Sequence, residues 1–474
     1  MIRRAAVLAA AWLGTACTAQ PASPTGRATQ VERCSYQARV ASERPLRLEL
    51  EVTCAGRGIR GLRAAEPQVA AVVGRVSSDA GPVRRRGTSF ELERERGSVS
   101  FRYSVDVEAL AASTASFDYA LRSGRSLIAP VSSFLLHPLP LDVGTRVELR
   151  VAAHPTLDFT TGLARDGERY LLEAHEIPVA TYAVFAARER RTLRVGRDAS
   201  ELELAILDGG LELGAEQVAS WAAKSAEAVS RFYETFPARR ALVAVVPVPE
   251  RRRVVFGKLL PESAPGIVLL VGARATDADL ARDWVLVHEL FHIGVPSFYR
   301  EGKWFDEGLA TYFEPILRVR AGLYGERELW HEFARQMPRG LEAFTRDGLE
   351  HARDYSGTYW GGALYCLVAD VAVRRSSNGR LGLEHGVRHV RARGGHASEV
   401  WSLAETLAIA DAAFPEPVLV ELAARHAQGP APFALEALLQ ELGVELRDGR
   451  VLLRDDAPLA WVRRALVQGG RPAE

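Results

Sequence analysis

The chain has 474 residues, 47% of them hydrophobic and 25% charged, and a formal net charge of +1. That length exceeds what one ordinary core holds, so two or three packed units are expected. The near-zero charge removes any general electrostatic case for a nucleic-acid partner. Lys224, Lys258 and Lys303 are the only lysines, so nearly all the positive charge is arginine, and clusters such as Arg84 to Arg86 and Arg251 to Arg253 read as solvated turns or strand edges.

Residues 1–17 read as an export signal. Arg3 and Arg4 form a basic start, Ala5 to Leu13 an apolar stretch too short to span a bilayer, and Gly14-Thr15-Ala16 a small-residue run ending at Cys17. A small-residue run before a cysteine resembles a bacterial lipoprotein signal. The resemblance implies lipidation of Cys17 and attachment to a membrane of the cell envelope. Ordinary cleavage nearby, giving a periplasmic or secreted protein, is the other expectation. Residues 18–32, rich in Pro, Ser, Thr and Gly, read as a flexible tether. Export implies an oxidising compartment, and Cys34 and Cys54 flank two strand-like runs that a hairpin would join, so a disulfide between them is expected. Cys366 lies in an apolar helical run and reads as a buried free thiol.

From residue 33 to 198 the pattern has period two, clearest at Leu46 to Val52 and Val99 to Val105. Many short strands with one polar face predict an antiparallel β-sandwich-like domain. His137, His154 and His175 are scattered through it and form no catalytic set. Residues 199–322 change character. Strands are expected at 201–207, 241–248, 253–257 and 266–271. The last of these, if at the sheet edge, would pair with an extended peptide. Helices are expected at 215–236, from 276 or 277 to 294, and at 305–321. Residues 323–443 read as mostly helical, and 444–474 as a hairpin and a C-terminal helix.

The second of those helices carries His288-Glu289-Leu290-Phe291-His292. Histidines four apart lie one turn above each other on the same face, so both imidazoles can reach one metal ion. Glu289 projects beside them, placed to take a proton from a polarised water. Catalytic zinc takes three protein ligands and keeps one position open. Fourteen residues separate His292 from Glu307 in Trp304-Phe305-Asp306-Glu307-Gly308-Leu309-Ala310-Thr311-Tyr312. That span accommodates a last helical turn, a reversal at Pro296 and the start of a returning helix. Glu307 in its first turn would face the histidines, giving a two-His, one-Glu set for one Zn2+ per chain.

These segments resemble the thermolysin-like zinc peptidases with a glutamate third ligand, and within them the membrane-alanyl and glycyl aminopeptidase families. The resemblance spans residues 201–443 and is concentrated in the two metal segments, whose spacing is shorter than in the membrane-alanyl family. It implies a multidomain α+β fold, with an N-terminal antiparallel β-domain, a thermolysin-like zinc catalytic domain, and a C-terminal helical region completing the active site. It also implies a hydroxyl that stabilises the tetrahedral oxyanion, which Tyr359 supplies in Tyr359-Trp360-Gly361-Gly362, with Tyr355 in reserve. For the carboxylate that grips a substrate amine in those families the chain offers only Glu262, without the glycines and methionine that accompany it there, and an exposed loop carboxylate is the other reading of that residue. The expected activity is hydrolysis of peptide bonds in a peptide or protein substrate, with aminopeptidase action the narrower expectation. The rival reading is an envelope binding or scaffolding lipoprotein that keeps a peptidase shell without turnover.

Overall fold

The computed structural model describes residues 31–262 and 264–469. Cys17, the expected signal and nearly all of the expected tether lie outside the described residues. Strands Val31–Glu43 and Leu46–Arg63 form a long antiparallel hairpin whose buried and exposed residues alternate, as a half-buried sheet requires. Ser89–Asp106 pairs with its second strand and Arg146–Val151 with its first. The last pairing is parallel, so the expected antiparallel domain is corrected to a mixed sheet. Period-two alternation specifies which face is buried but not the direction of a neighbouring strand. Cys34 and Cys54 lie directly opposite each other in the hairpin and are joined by a disulfide.

A four-stranded sheet, in the order Phe159–Thr161, Tyr182–Phe185, Ser126–Pro130 and Leu121–Ser123, forms a middle layer. Leu127, Ala129, Ala183 and Phe185 enter the N-terminal core. Ile128, Tyr182 and Val184 point the other way, against Ala205, Leu242, Ala244 and Val268 of a third sheet. Burial on both faces explains why the two inner strands, Tyr182–Phe185 and Ser126–Pro130, are mostly apolar rather than alternating.

The third sheet has five strands in the order Glu189–Val195, Ser200–Ile206, Arg240–Val248, Gly266–Gly272 and Val254–Leu260. Glu189–Val195 pairs with Ser200–Ile206, so the expected domain limit at residue 198 cuts a hairpin that belongs wholly to this sheet. Gly266–Gly272 is an inner strand, parallel to Arg240–Val248 and antiparallel to Val254–Leu260. The edge expected there is therefore corrected: Val254–Leu260 is the edge strand. Its polar Lys258 and its exposed Val255 and Phe256 suit an edge, whereas the near-continuous apolar run of Gly266–Gly272 suits an interior.

The other face of this sheet carries helix Ala215–Tyr233 and the helices of the C-terminal half. One apolar core runs from Val195 to Leu466, so the helical region shares its interior with the sheet. Three of these helices are also tied by buried charge. Arg374, at 0% exposure, pairs with Asp370 and Glu384, and Glu384 also takes Arg320. The Tyr312 hydroxyl donates to Asp370 Oδ2 at 2.7 Å. Charges this deep are tolerated only when paired. The network fixes Lys303–Arg320, Gly362–Ser376 and Leu383–Ala392 against one another.

Candidate active site

The expected continuous helix over 276–294 is two helices, Asp277–Ala281 and Val285–His292. Asp283 causes the break. Its carboxylate accepts from the backbone N–H groups of Val285 and Leu286, both at 3.1 Å, and so starts the second helix afresh. That second helix carries His288, Glu289 and His292. At its far end the Tyr233 hydroxyl donates to the Phe291 carbonyl at 2.9 Å, fixing the last turn.

The two Nε2 atoms stand 3.2 Å apart. Helix Lys303–Arg320 returns across them and presents Glu307 Oε2 at 3.2 Å from His288 Nε2 and 3.5 Å from His292 Nε2. Zinc bound at about 2.0–2.1 Å in a tetrahedron separates its ligand atoms by roughly 3.3–3.4 Å. The three atoms therefore already stand at zinc-ligand spacing. Two imidazole nitrogens and a carboxylate oxygen are also the donor types of a catalytic zinc set.

Two residues not singled out in the sequence complete this cluster. Asp306 Oδ1 lies 2.8 Å from His292 Nδ1, which orients the ring and directs its Nε2 to the cluster. Lys303 Nζ lies 2.7 Å from Asp306 Oδ2 and 2.8 Å from Glu307 Oε1. Against burial, Lys303 and His292 hold the Asp306 carboxyl below its ordinary value. Lys303 stands three and four residues before the two acids, a spacing that an exposed helix face shows as readily. Only the returning helix reveals what they face.

Tyr359 lies in the irregular turn Ser356–Gly361 that opens helix Gly362–Ser376. Its ring stacks over His288 at 6.0 Å and 13°. Burial, and then Glu307, raise its hydroxyl well above the ordinary tyrosine value, so it remains an O–H donor. Tyr355 stacks on its outer side at 4.4 Å. Glycines bring the two helices to this distance. A Cβ on Gly308 would stand 2.4 Å from Gly362 C, and one on Gly362 would stand 2.0 Å from Trp304 O. Gly362→Ala is therefore expected to force the helices apart and cost about 1–3 kcal/mol. Thermal unfolding should show the loss, with weaker zinc uptake by direct titration. Wild-type values in both would overturn this account of the packing.

The edge strand Val254–Leu260 passes over the same cluster. A Cβ on Gly257 would come within 2.8 Å of Glu289 Cγ, so the missing side chain lets the strand lie against Glu289. Burial pushes the Glu289 carboxyl above its ordinary value, against the pull of His288 and His292. The outer face of the strand is held by the N-terminal half of the chain. Lys258 Nζ bonds Asp118 at 2.6 Å, and Phe256 stacks on Phe117 at 5.5 Å. Trp284, 40% exposed, stands edge-on to His288 at 5.4 Å, and Tyr355 is 48% exposed, so aromatic rings border the cluster on two sides. Glu262 follows the edge strand and bridges Ala180. Burial, then Glu176 and Glu399, raise its carboxyl to about 7. Among the described residues it makes no hydrogen bond or ion pair with His288, His292 or Glu307.

No protein-family model matches the sequence, and a search among curated proteins finds no similar sequence. Solved structures do match. An aminopeptidase N family protein from Idiomarina loihiensis aligns with a TM-score of 0.65 at 14% identity, over 87% of this chain and 79% of that one. An M1 zinc metallopeptidase mutant from Deinococcus radiodurans, bound to a Tyr-Ser-Ala substrate, aligns with a TM-score of 0.52 at 14% identity, over 85% and 95% of the two chains. A two-domain M1 zinc metallopeptidase mutant bound to L-tryptophan aligns with a TM-score of 0.53, also at 14% identity, over 86% and 96%. The fold is that of the M1 zinc metallopeptidases. The multidomain α+β architecture expected from the sequence, with a sheet-rich N-terminal half and a helical C-terminal region, is the architecture these structures share.

Proposed function

We propose that the chain is a zinc-dependent peptidase whose thermolysin-like half hydrolyses peptide bonds. One observation carries this reading: His288 Nε2, His292 Nε2 and Glu307 Oε2 stand 3.2–3.5 Å apart, with Glu289 on the same short helix. A zinc ion held by these three residues would polarise the substrate carbonyl and acidify the attacking water. Glu289 takes the proton of that water as its oxygen bonds to the carbonyl carbon. When the carbon–nitrogen bond breaks, Glu289 returns the proton to the leaving amine. The Tyr359 hydroxyl donates to the oxygen that becomes negative in between. The unpaired side of the edge strand Val254–Leu260 would take the substrate backbone as an added strand, which Gly257 lets pass close to Glu289.

The proposed setting is the bacterial envelope. The Cys34–Cys54 disulfide supports an oxidising compartment, and the signal-like residues ending at Cys17 support a lipid anchor, with a periplasmic or secreted form as the other product. Cleavage of a mixed peptide library, half with free and half with acetylated N-termini, tests the activity. Products that appear with the wild-type chain and not with Glu289→Ala are expected. Zinc-loaded protein that cleaves neither half would count against a peptidase. Cleavage confined to free N-termini would make it an aminopeptidase and bring Glu262 back as the amine anchor.

A further inference from the structure

A lysine in the first turn of a helix works against the helix dipole. Lys303 sits there directly after Gly302, which begins the helix with a φ of 89°. The dipole therefore does not account for the residue. Its surroundings do. The ammonium spans two carboxylates adjacent in sequence, and each carboxylate is divided in the same way. Asp306 gives Oδ2 to Lys303 and Oδ1 to His292, while Glu307 gives Oε1 to Lys303 and Oε2 to the two imidazoles. Side-chain exposure is 11% for Asp306 and 10% for Glu307 but 52% for Lys303, so the lysine reaches inward from the cleft to hold groups that water does not.

We propose that Lys303 is a positioning residue that makes Glu307 a one-oxygen metal ligand. By occupying Oε1 it keeps the carboxylate from turning both oxygens onto the ion, and so keeps a coordination position free for water and substrate. Through Asp306 the same ammonium fixes the orientation of His292. One cation thus sets two of the three ligands. The inference rests on the zinc reading of the His288, His292 and Glu307 cluster, but not on peptide hydrolysis.

The test replaces zinc with cobalt(II), whose visible absorption is strong in four-coordinate sites and weakens as coordination number rises. Lys303→Met keeps most of the unbranched side chain and removes the charge, and Lys303→Arg can still bridge two carboxylates. Lys303→Met is expected to bind one cobalt with clearly weakened absorption, while Lys303→Arg keeps the wild-type spectrum. X-ray absorption of the zinc forms should show an added oxygen neighbour in Lys303→Met. Peptide turnover, where measured, should fall roughly 10–100-fold in that variant, in kcat more than in KM. A wild-type cobalt spectrum in Lys303→Met overturns the proposal. So does a rise in KM with the spectrum unchanged, which would place Lys303 on the substrate instead. A peptide assay that fails in every form, with the cobalt difference intact, would count against the peptidase reading and leave this one standing.

Discussion

Glu289→Gln is expected to lower peptide hydrolysis by roughly 10²–10⁴-fold, the usual worth of a general base, while the protein stays folded and binds zinc as before. The substitution keeps the size of the side chain and its contact with Gly257, and it touches none of the three ligand atoms. It removes only the carboxylate that the proposed mechanism uses to take and return the proton. Turnover by single-turnover kinetics, zinc content by elemental analysis and unfolding by circular dichroism separate the three readouts. Full turnover with zinc bound would end the mechanism proposed above. Lost turnover with lost zinc would mean that Glu289 supports the site rather than the reaction.

The largest effect on stability is expected at Glu384, far from the chemistry. Glu384→Ala leaves Arg374 buried with Asp370 as its remaining partner and takes from Arg320 its ion pair. Breaking a buried pair from one side costs roughly 3–5 kcal/mol, which denaturant unfolding of the helical half would read. The pH dependence carries a sign. Against burial, Arg374 and Arg320 hold the Glu384 carboxyl down to about 2 in the folded protein, whereas an unfolded glutamate titrates near about 4.3. A depressed carboxyl contributes stability that is fully present above the unfolded value and is lost as the pH falls through the folded one. The gap between wild type and Glu384→Gln should therefore be widest above about pH 5 and close toward pH 2. A gap that stays constant across that range would show that the charge of Glu384 is not what matters.

The residues of the metal cluster were legible because their chemistry repeats at helical spacing. His288, Glu289 and His292 follow from one turn of helix, and Glu307 follows from a reversal of the right length. Tyr359 was legible through resemblance to a family, and it lies against His288 and Glu307. Lys303 and Asp306 were not legible, because a local ion pair looks the same on an open surface as beneath a metal site. Glu262 was picked for its distance along the chain from the histidines. The carboxylates that face it, Glu176 and Glu399, belong to other segments that only the tertiary fold assembles. The order of strands was hidden for a similar reason. Periodicity marks a strand and its buried face, but it does not say which neighbour lies beside it. The apolar run of Gly266–Gly272 nonetheless carried a usable sign that it belonged inside the sheet.

The contact between Gly308 and Gly362 places backbone directly on backbone, one residue beyond Glu307 and three beyond Tyr359. At that point no side chain lies between the two helices, so main chain fixes the separation of the backbone segments that carry Glu307 and Tyr359. Residues on the rim, such as Trp284 and Tyr355, sit outside that clasp and can be exchanged without loosening it. A change at the rim would therefore alter what reaches the candidate site without moving the two helix ends that carry it.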